Sequence, residues 1–262
     1  MKIANLGDVR LHYRIDGDPD GAPVVFANAL GTDLRLWDDV IERMPQTGWK
    51  YVRYDMRGHG LSDSPSEAYP MGAMVREAEL LMEHLGLRDA VFVGQSIGGL
   101  VAQGLAAKRH DLVRALVLAN TAVRFGTRES WSERIATVQD GGLKALVDRT
   151  MERWFPAAFR DTDEFLGWRN MFLNTPARGY IGYCHAISGT DFLSTTSDLR
   201  LPTLGIAGSE DGSTPPDMVR ETINLIPGSR FHLIRNAGHV PCVDAPDEYA
   251  TVLSEFITSI GH

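Results

Sequence analysis

The chain has 262 residues, 44% of them hydrophobic, and a formal net charge of −8. That is enough apolar material for one sizeable core, while the acidic balance argues against a nucleic-acid partner, which needs a basic face to meet phosphate. Cys184 and Cys242 make no disulfide framework, the opening MKIANLGDVR lacks the apolar core of a signal peptide, and no run of about 18 apolar residues occurs, so a soluble cytoplasmic protein with no membrane partner is expected.

In chain order, residues 2–5 and 9–15 read as two short strands joined by a turn at Gly7-Asp8. Apolar runs follow at 23–27, 50–54, 90–94 and 114–119, and runs this apolar suit parallel strands buried on both faces. Helical patterns lie between them. Ala78, Leu81, Met82 and Leu85 share one stripe, and Gly86 reads as a stop. After Thr121 the rhythm breaks, and residues 122–200 read as helices and loops rich in Trp, Phe and Arg. Strand signals resume at 202–207 and 230–235, and Tyr249, Val252, Leu253, Phe256 and Ile257 mark a last helix, with Asp244 as its N-cap and Pro246 in its first turn. The expected architecture is α/β: an eight-stranded, mostly parallel sheet with a helical cap inserted after the sixth strand. Residues 1–121 and 201–262 form the core domain and 122–200 the cap, which at the carboxyl end of a strand lies over the crevice where such sheets bind ligands. The cap holds ten basic and ten acidic residues, so the core carries the whole net charge.

Gly94-Gln95-Ser96-Ile97-Gly98 matches G-x-S-x-G, with an apolar strand before it and a helix from Ile97 to about Arg109 after it. In that context the serine sits on a sharp turn with its hydroxyl exposed, and small neighbours avoid clashes. The α/β-hydrolase order is serine, then acid, then histidine. Asp211, in Gly208-Ser209-Glu210-Asp211-Gly212, and His239, in Asn236-Ala237-Gly238-His239, fit it, each in a loop after a strand; Glu210 is the alternative acid. Ser96 is thus the expected nucleophile, His239 the base and Asp211 the residue that orients the imidazole. The expected oxyanion donors are the backbone N–H groups of Leu30 and Ile97. His59, in a glycine-rich turn, comes too early for the order and is expected to pack its loop.

The chain resembles the 3-oxoadipate enol-lactonases. The segments that carry the resemblance are Asn28 to Trp37, Arg53 to Gly60, Gly94 to Gly99, Asn120 to Thr127, Asp191-Phe192 and Ala207 to Pro216. Gln95 and Ile97 stand where the family elbow has Leu and Met, and Asn28-Ala29 where many relatives have His-Gly. The resemblance implies opening of 3-oxoadipate enol-lactone to 3-oxoadipate through an acyl-enzyme, in aromatic-compound catabolism, with no metal or organic cofactor.

That small-molecule substrate carries a carboxylate, so cations are expected in the cap. Arg124 and Arg128 are the candidates, with solvated surface charge as the other reading. Trp131, Trp154 and Tyr183 are candidates for an apolar wall, or else pack the cap. Cys242, close after His239, reads as a packed thiol. Two other functions fit the same residues: a general carboxylesterase or lactonase for another small ester, and a ligand-sensing receptor with slow turnover.

Overall fold

The computed structural model describes residues 1–65 and 68–262. Its sheet holds β1 (Lys2–Asn5), β2 (Arg10–Gly17), β3 (Ala22–Ala27), β4 (Trp49–Tyr54), β5 (Ala90–Gln95), β6 (Val113–Ala119), β7 (Thr203–Gly208) and β8 (Arg230–Ile234). The helices of the core are α1 (Asp38–Arg43), α2 (Met71–His84) and α3 (Ile97–Lys108), and those of the cap are α4 (Arg128–Gly141), α5 (Val147–Trp154), α6 (Ala157–Arg160), α7 (Asp163–Asn174), α8 (Ala177–Ser188) and α9 (Leu193–Ser197). The core resumes with α10 (Pro216–Asn224), α11 (Pro241–Asp244) and α12 (Pro246–Ser259).

The strands lie in the order β1-β2-β4-β3-β5-β6-β7-β8. β1 and β2 are antiparallel to their neighbours, and β3 to β8 run parallel. Apolar runs account for the parallel part: every residue of β5 and β7 is buried, because helices cover both faces. The Phe26 and Trp37 rings pack tilted with centroids 4.9 Å apart, and Trp37 meets Tyr249 at 6.1 Å, which ties β3 to α12. Asp244 does not cap α12. It ends α11, and Ala245 occupies the capping position. The turn of α11 aims the Asp244 carboxylate back at the Gly238 N–H instead, at 2.7 Å.

This order positions the site. From β3 the chain moves to β4 on one side, then to β5 on the other, so the direction of winding reverses between β3 and β5. Ligands of open α/β sheets bind outside the carboxyl ends of strands at such a switch point. The loops after β3 and β5 carry Leu30 and Ser96 there. Among the described residues no helix is long and apolar enough to cross a membrane.

Phe92 is fully buried at the centre of β5. Phe92→Ala is expected to cost about 3–5 kcal/mol through lost burial and a residual cavity. Urea unfolding should show a lower midpoint with an unchanged slope.

Candidate active site

Ser96 follows the last residue of β5 and has φ 56° and ψ −118°, a conformation that costs a non-glycine residue about 1–3 kcal/mol. Its surroundings impose it. The Ser96 N–H donates to Ala119 O at 2.8 Å, and Ser96 O accepts from Gly99 N–H at 2.9 Å and from the Thr121 hydroxyl at 2.6 Å. The turn is so tight that a Cβ on Gly98 would lie 2.3 Å from Ala27 O.

Three side chains then form one hydrogen-bonded line. His239 Nε2 is 3.0 Å from Ser96 Oγ, and His239 Nδ1 is 2.9 Å from Asp211 Oδ2. Glu210, the alternative acid, is exposed and outside that line. Asp211 Oδ1 accepts the backbone N–H groups of Ser213 and Thr214 at 2.6 and 3.0 Å. Its Oδ2 accepts from the Thr214 hydroxyl at 2.6 Å and from Asn120 Nδ2 at 2.8 Å. Burial alone would raise the Asp211 pKa, but the His239 ring and these hydrogen bonds outweigh it and hold the carboxyl below its ordinary range.

The backbone around His239 is pinned as thoroughly. Gly238 N–H donates to Asp244, His239 N–H donates to Trp154 O at 2.8 Å, and Gln95 Nε2 donates to His239 O. The last bond runs from the side chain of the residue before Ser96 to the main chain of His239, so the two loops that carry the reactive pair are also tied together.

Among the described residues, the N–H groups of Leu30 and Ile97 have no acceptor within the chain. Ile97 opens α3, where the first N–H groups have no helical partner. The loop carrying Leu30 is set by His59, whose Nε2 accepts Gly31 N–H at 3.0 Å while Nδ1 donates to Arg57 O at 3.1 Å. Burial lowers the His59 pKa to about 4, so the ring is neutral and serves both bonds.

Ser96 and His239 open into a cavity of about 480 Å³ between core and cap. Leu30, Trp131 and Trp154 line it. Arg124 and Arg128 do not, and the cation expectation is corrected. Arg124 pairs with Asp191 at 3.0 Å with its side chain 66% exposed, and both arginines border a separate surface cavity. Arg124 lies in the link from β6 to α4, and Arg128 is the first residue of that helix. The guanidiniums lining the Ser96 cavity belong to Arg134 on α4 and to Arg149 and Arg153 on α5. Among the described residues none of the three pairs with a carboxylate; Arg134 donates to the Tyr180 and Thr150 hydroxyls, and Arg153 to Gly212 O. Tyr183 is also displaced from the expected wall. It is fully buried, packed edge-on against His59 with ring centroids 4.8 Å apart, and Tyr180, one turn earlier on α8, lines the cavity in its place. One signal for the missed residues was present: Arg149 and Arg153 are four apart and so share a helix face, next to Trp154. Cys242 is fully buried, and burial followed by the charge of Asp244 pushes its thiol up. Among the described residues no group of three or more His, Cys, Asp or Glu is placed to hold a metal ion.

A strained serine on a strand-to-helix turn, hydrogen-bonded to a histidine from the last strand loop of this sheet, defines a class, and comparison with known proteins agrees. A family described as the alpha/beta hydrolase fold matches residues 22–166. The chain belongs to that family of hydrolases. It is 30% identical to 3-oxoadipate enol-lactonase 1 of Acinetobacter baylyi, over 99% of this chain and 97% of that protein. It is also similar to the crystal structure of an enol-lactonase from Burkholderia xenovorans LB400, with a TM-score of 0.94 and 31% identity over 98% of this chain and 100% of that one. A thermophilic esterase from Thermogutta terrifontis superposes with a TM-score of 0.90 at 26% identity, over 96% of this chain and 94% of that one.

Asp244 supplies a pH prediction. Burial raises its pKa from 3.8 to about 7, against the Gly238 hydrogen bond. The folded chain therefore binds this proton more tightly than the unfolded chain, and stability is lost as pH rises from about 4 through about 7. In Asp244→Asn the side-chain oxygen still accepts the Gly238 N–H, and that loss disappears. The stability difference between variant and wild type should grow across this window toward an upper value on the order of 4 kcal/mol, read by urea unfolding at pH 4.5 and 8.

Proposed function

We propose that the chain opens a small lactone bearing a carboxylate, 3-oxoadipate enol-lactone, to 3-oxoadipate in the cytoplasm, as a step in aromatic-compound catabolism. The observation that carries this reading is the Ser96–His239–Asp211 line at 3.0 and 2.9 Å, opening into a cavity with three guanidiniums that pair with no carboxylate among the described residues. Similarity to enol-lactonases over nearly the whole chain supports the choice of ring.

In this mechanism Asp211 holds the imidazole with its Nδ1 proton toward the carboxylate, which leaves Nε2 free to accept. Ser96 Oγ attacks the lactone carbonyl as its proton passes to His239 Nε2. The carbonyl oxygen, now negative, takes the Leu30 and Ile97 N–H groups, which have no other acceptor among the described residues. Collapse breaks the ring C–O bond and leaves an acyl-enzyme whose leaving group is an enol, held on the same molecule. The imidazolium returns the proton to that oxygen, and the enol becomes the ketone. His239 then takes a proton from water, the hydroxide attacks the acyl carbon, and Ser96 is released with its proton restored. The substrate carboxylate lies against Arg134, Arg149 and Arg153, whose planar forks match its two oxygens. The runner-up is a carboxylesterase acting on neutral esters, favoured by the likeness to the Thermogutta esterase.

Turnover of 3-oxoadipate enol-lactone beside p-nitrophenyl acetate separates the two: kcat/KM should strongly favour the lactone, and activity on the neutral ester alone would discard the lactone assignment. Ser96→Ala should lower kcat on either substrate by at least about 10³-fold with the circular dichroism spectrum unchanged. Most of the activity surviving in that variant would sink the nucleophile assignment. Arg134→Met should lower the ratio of kcat/KM for lactone over neutral ester by about tenfold, equivalent to about 1.4 kcal/mol of carboxylate recognition. An unchanged ratio would remove Arg134 from that role.

A further inference from the structure

One cap element touches both the acid loop and the base loop. α5 ends in Arg153 and Trp154, whose carbonyls have no partner further along the helix. The core supplies partners for both. Gly212 N–H, next to Asp211, donates to Arg153 O at 3.0 Å, and His239 N–H donates to Trp154 O at 2.8 Å. The approach is close: a Cβ on Gly212 would lie 3.1 Å from Arg153 Cα, and one on Gly238 would lie 2.0 Å from Trp154 O. Arg153 adds a return bond, its Nε donating to Gly212 O at 2.7 Å. The same side chain lines the Ser96 cavity, with Arg134 and Arg149 beside it. Burial, then the charges of Arg134 and Arg149, hold the Arg153 pKa below its ordinary value, with Asp211 opposing.

We propose that Arg153 is a positioning residue as well as a substrate-binding one: its Nε edge fixes the loop that carries Asp211, its remaining N–H groups meet the anionic group of the substrate, and a carboxylate in the cavity therefore tightens the acid loop. The guanidinium suits both tasks because its five N–H donors sit in one rigid plane. A lysine ammonium is a point charge without that fixed pair of edges. This inference rests on the Ser96–His239–Asp211 assignment.

The test is steady-state kinetics of Arg153→Met and Arg153→Lys on p-nitrophenyl acetate, which has no anion to bind, and on 3-oxoadipate enol-lactone. On the neutral ester, Arg153→Met should lower kcat about tenfold with KM within about twofold, and added methylguanidinium should restore part of that kcat. On the lactone, kcat/KM should fall about a hundredfold, with KM rising. Arg153→Lys should recover some of the lactone KM and none of the neutral-ester kcat. Arg128→Met, outside the cavity, should match wild type on both substrates. A wild-type kcat on the neutral ester in either Arg153 variant would overturn the positioning role, and the Lys variant decides the matter where the Met variant fails to fold. Full activity in Ser96→Ala would overturn the underlying assignment instead, and the two failures are distinguishable.

Discussion

The site depends on a serine kept where few side chains go. At φ 56° Ser96 is unfavourable on its own, and the fold holds it there by binding its N–H and its carbonyl to the neighbouring strand end, the Thr121 hydroxyl and the first turn of α3. Those partners exist because β5 lies beside β6 in a parallel sheet, which requires apolar strands buried on both faces. The hydrophobic pattern of the chain and the position of one hydroxyl are therefore linked by a short series of hydrogen bonds.

Asp211 and His239 are placed by the same logic on the loops after β7 and β8. Neither side chain stands free. The carboxylate of Asp211 takes four donors besides the imidazole, and the main chain on either side of His239 is held by Asp244, Trp154, Gln95 and Asn120. Asn120 reaches both loops, to Asp211 Oδ2 and to Gly238 O, from the residue just after β6. Orientation at the reacting centre comes partly from groups that take no part in the chemistry, such as Asn120, Asp244 and Gln95.

What was legible in the sequence follows from the range of the interactions. The eight strands, the insertion after the sixth and the candidates Ser96, Asp211 and His239 are visible because each is a short segment next to an apolar strand, and strands fix where their following loops go. The cap was harder. Arg124 and Arg134 are both plausible cations on paper, and the difference lies in whether a short link turns outward before α4 starts. Tyr180 and Tyr183 are one turn apart on α8, and only the rotation of that helix decides which faces the cavity and which packs on His59. Asp244 misled as a helix cap because the four residues of α11 turn its side chain back toward Gly238. In each case the deciding quantity is a helix phase or a loop direction, which depends on tertiary packing.

The arginine-lined cavity has a consequence for how the molecule meets a charged solute. The chain as a whole carries −8, which by itself would repel an anion. At physiological salt, however, the electric field of an exposed charge fades over roughly 8 Å. A small anion drifting across the surface therefore senses mainly the charges nearest to it, and those lining this cavity are Arg134, Arg149 and Arg153 against Glu133. As ionic strength falls, the reach of the acidic body lengthens, and the distant repulsion and the local attraction come to compete. The sign of the whole chain is a poor guide to the potential its substrate encounters.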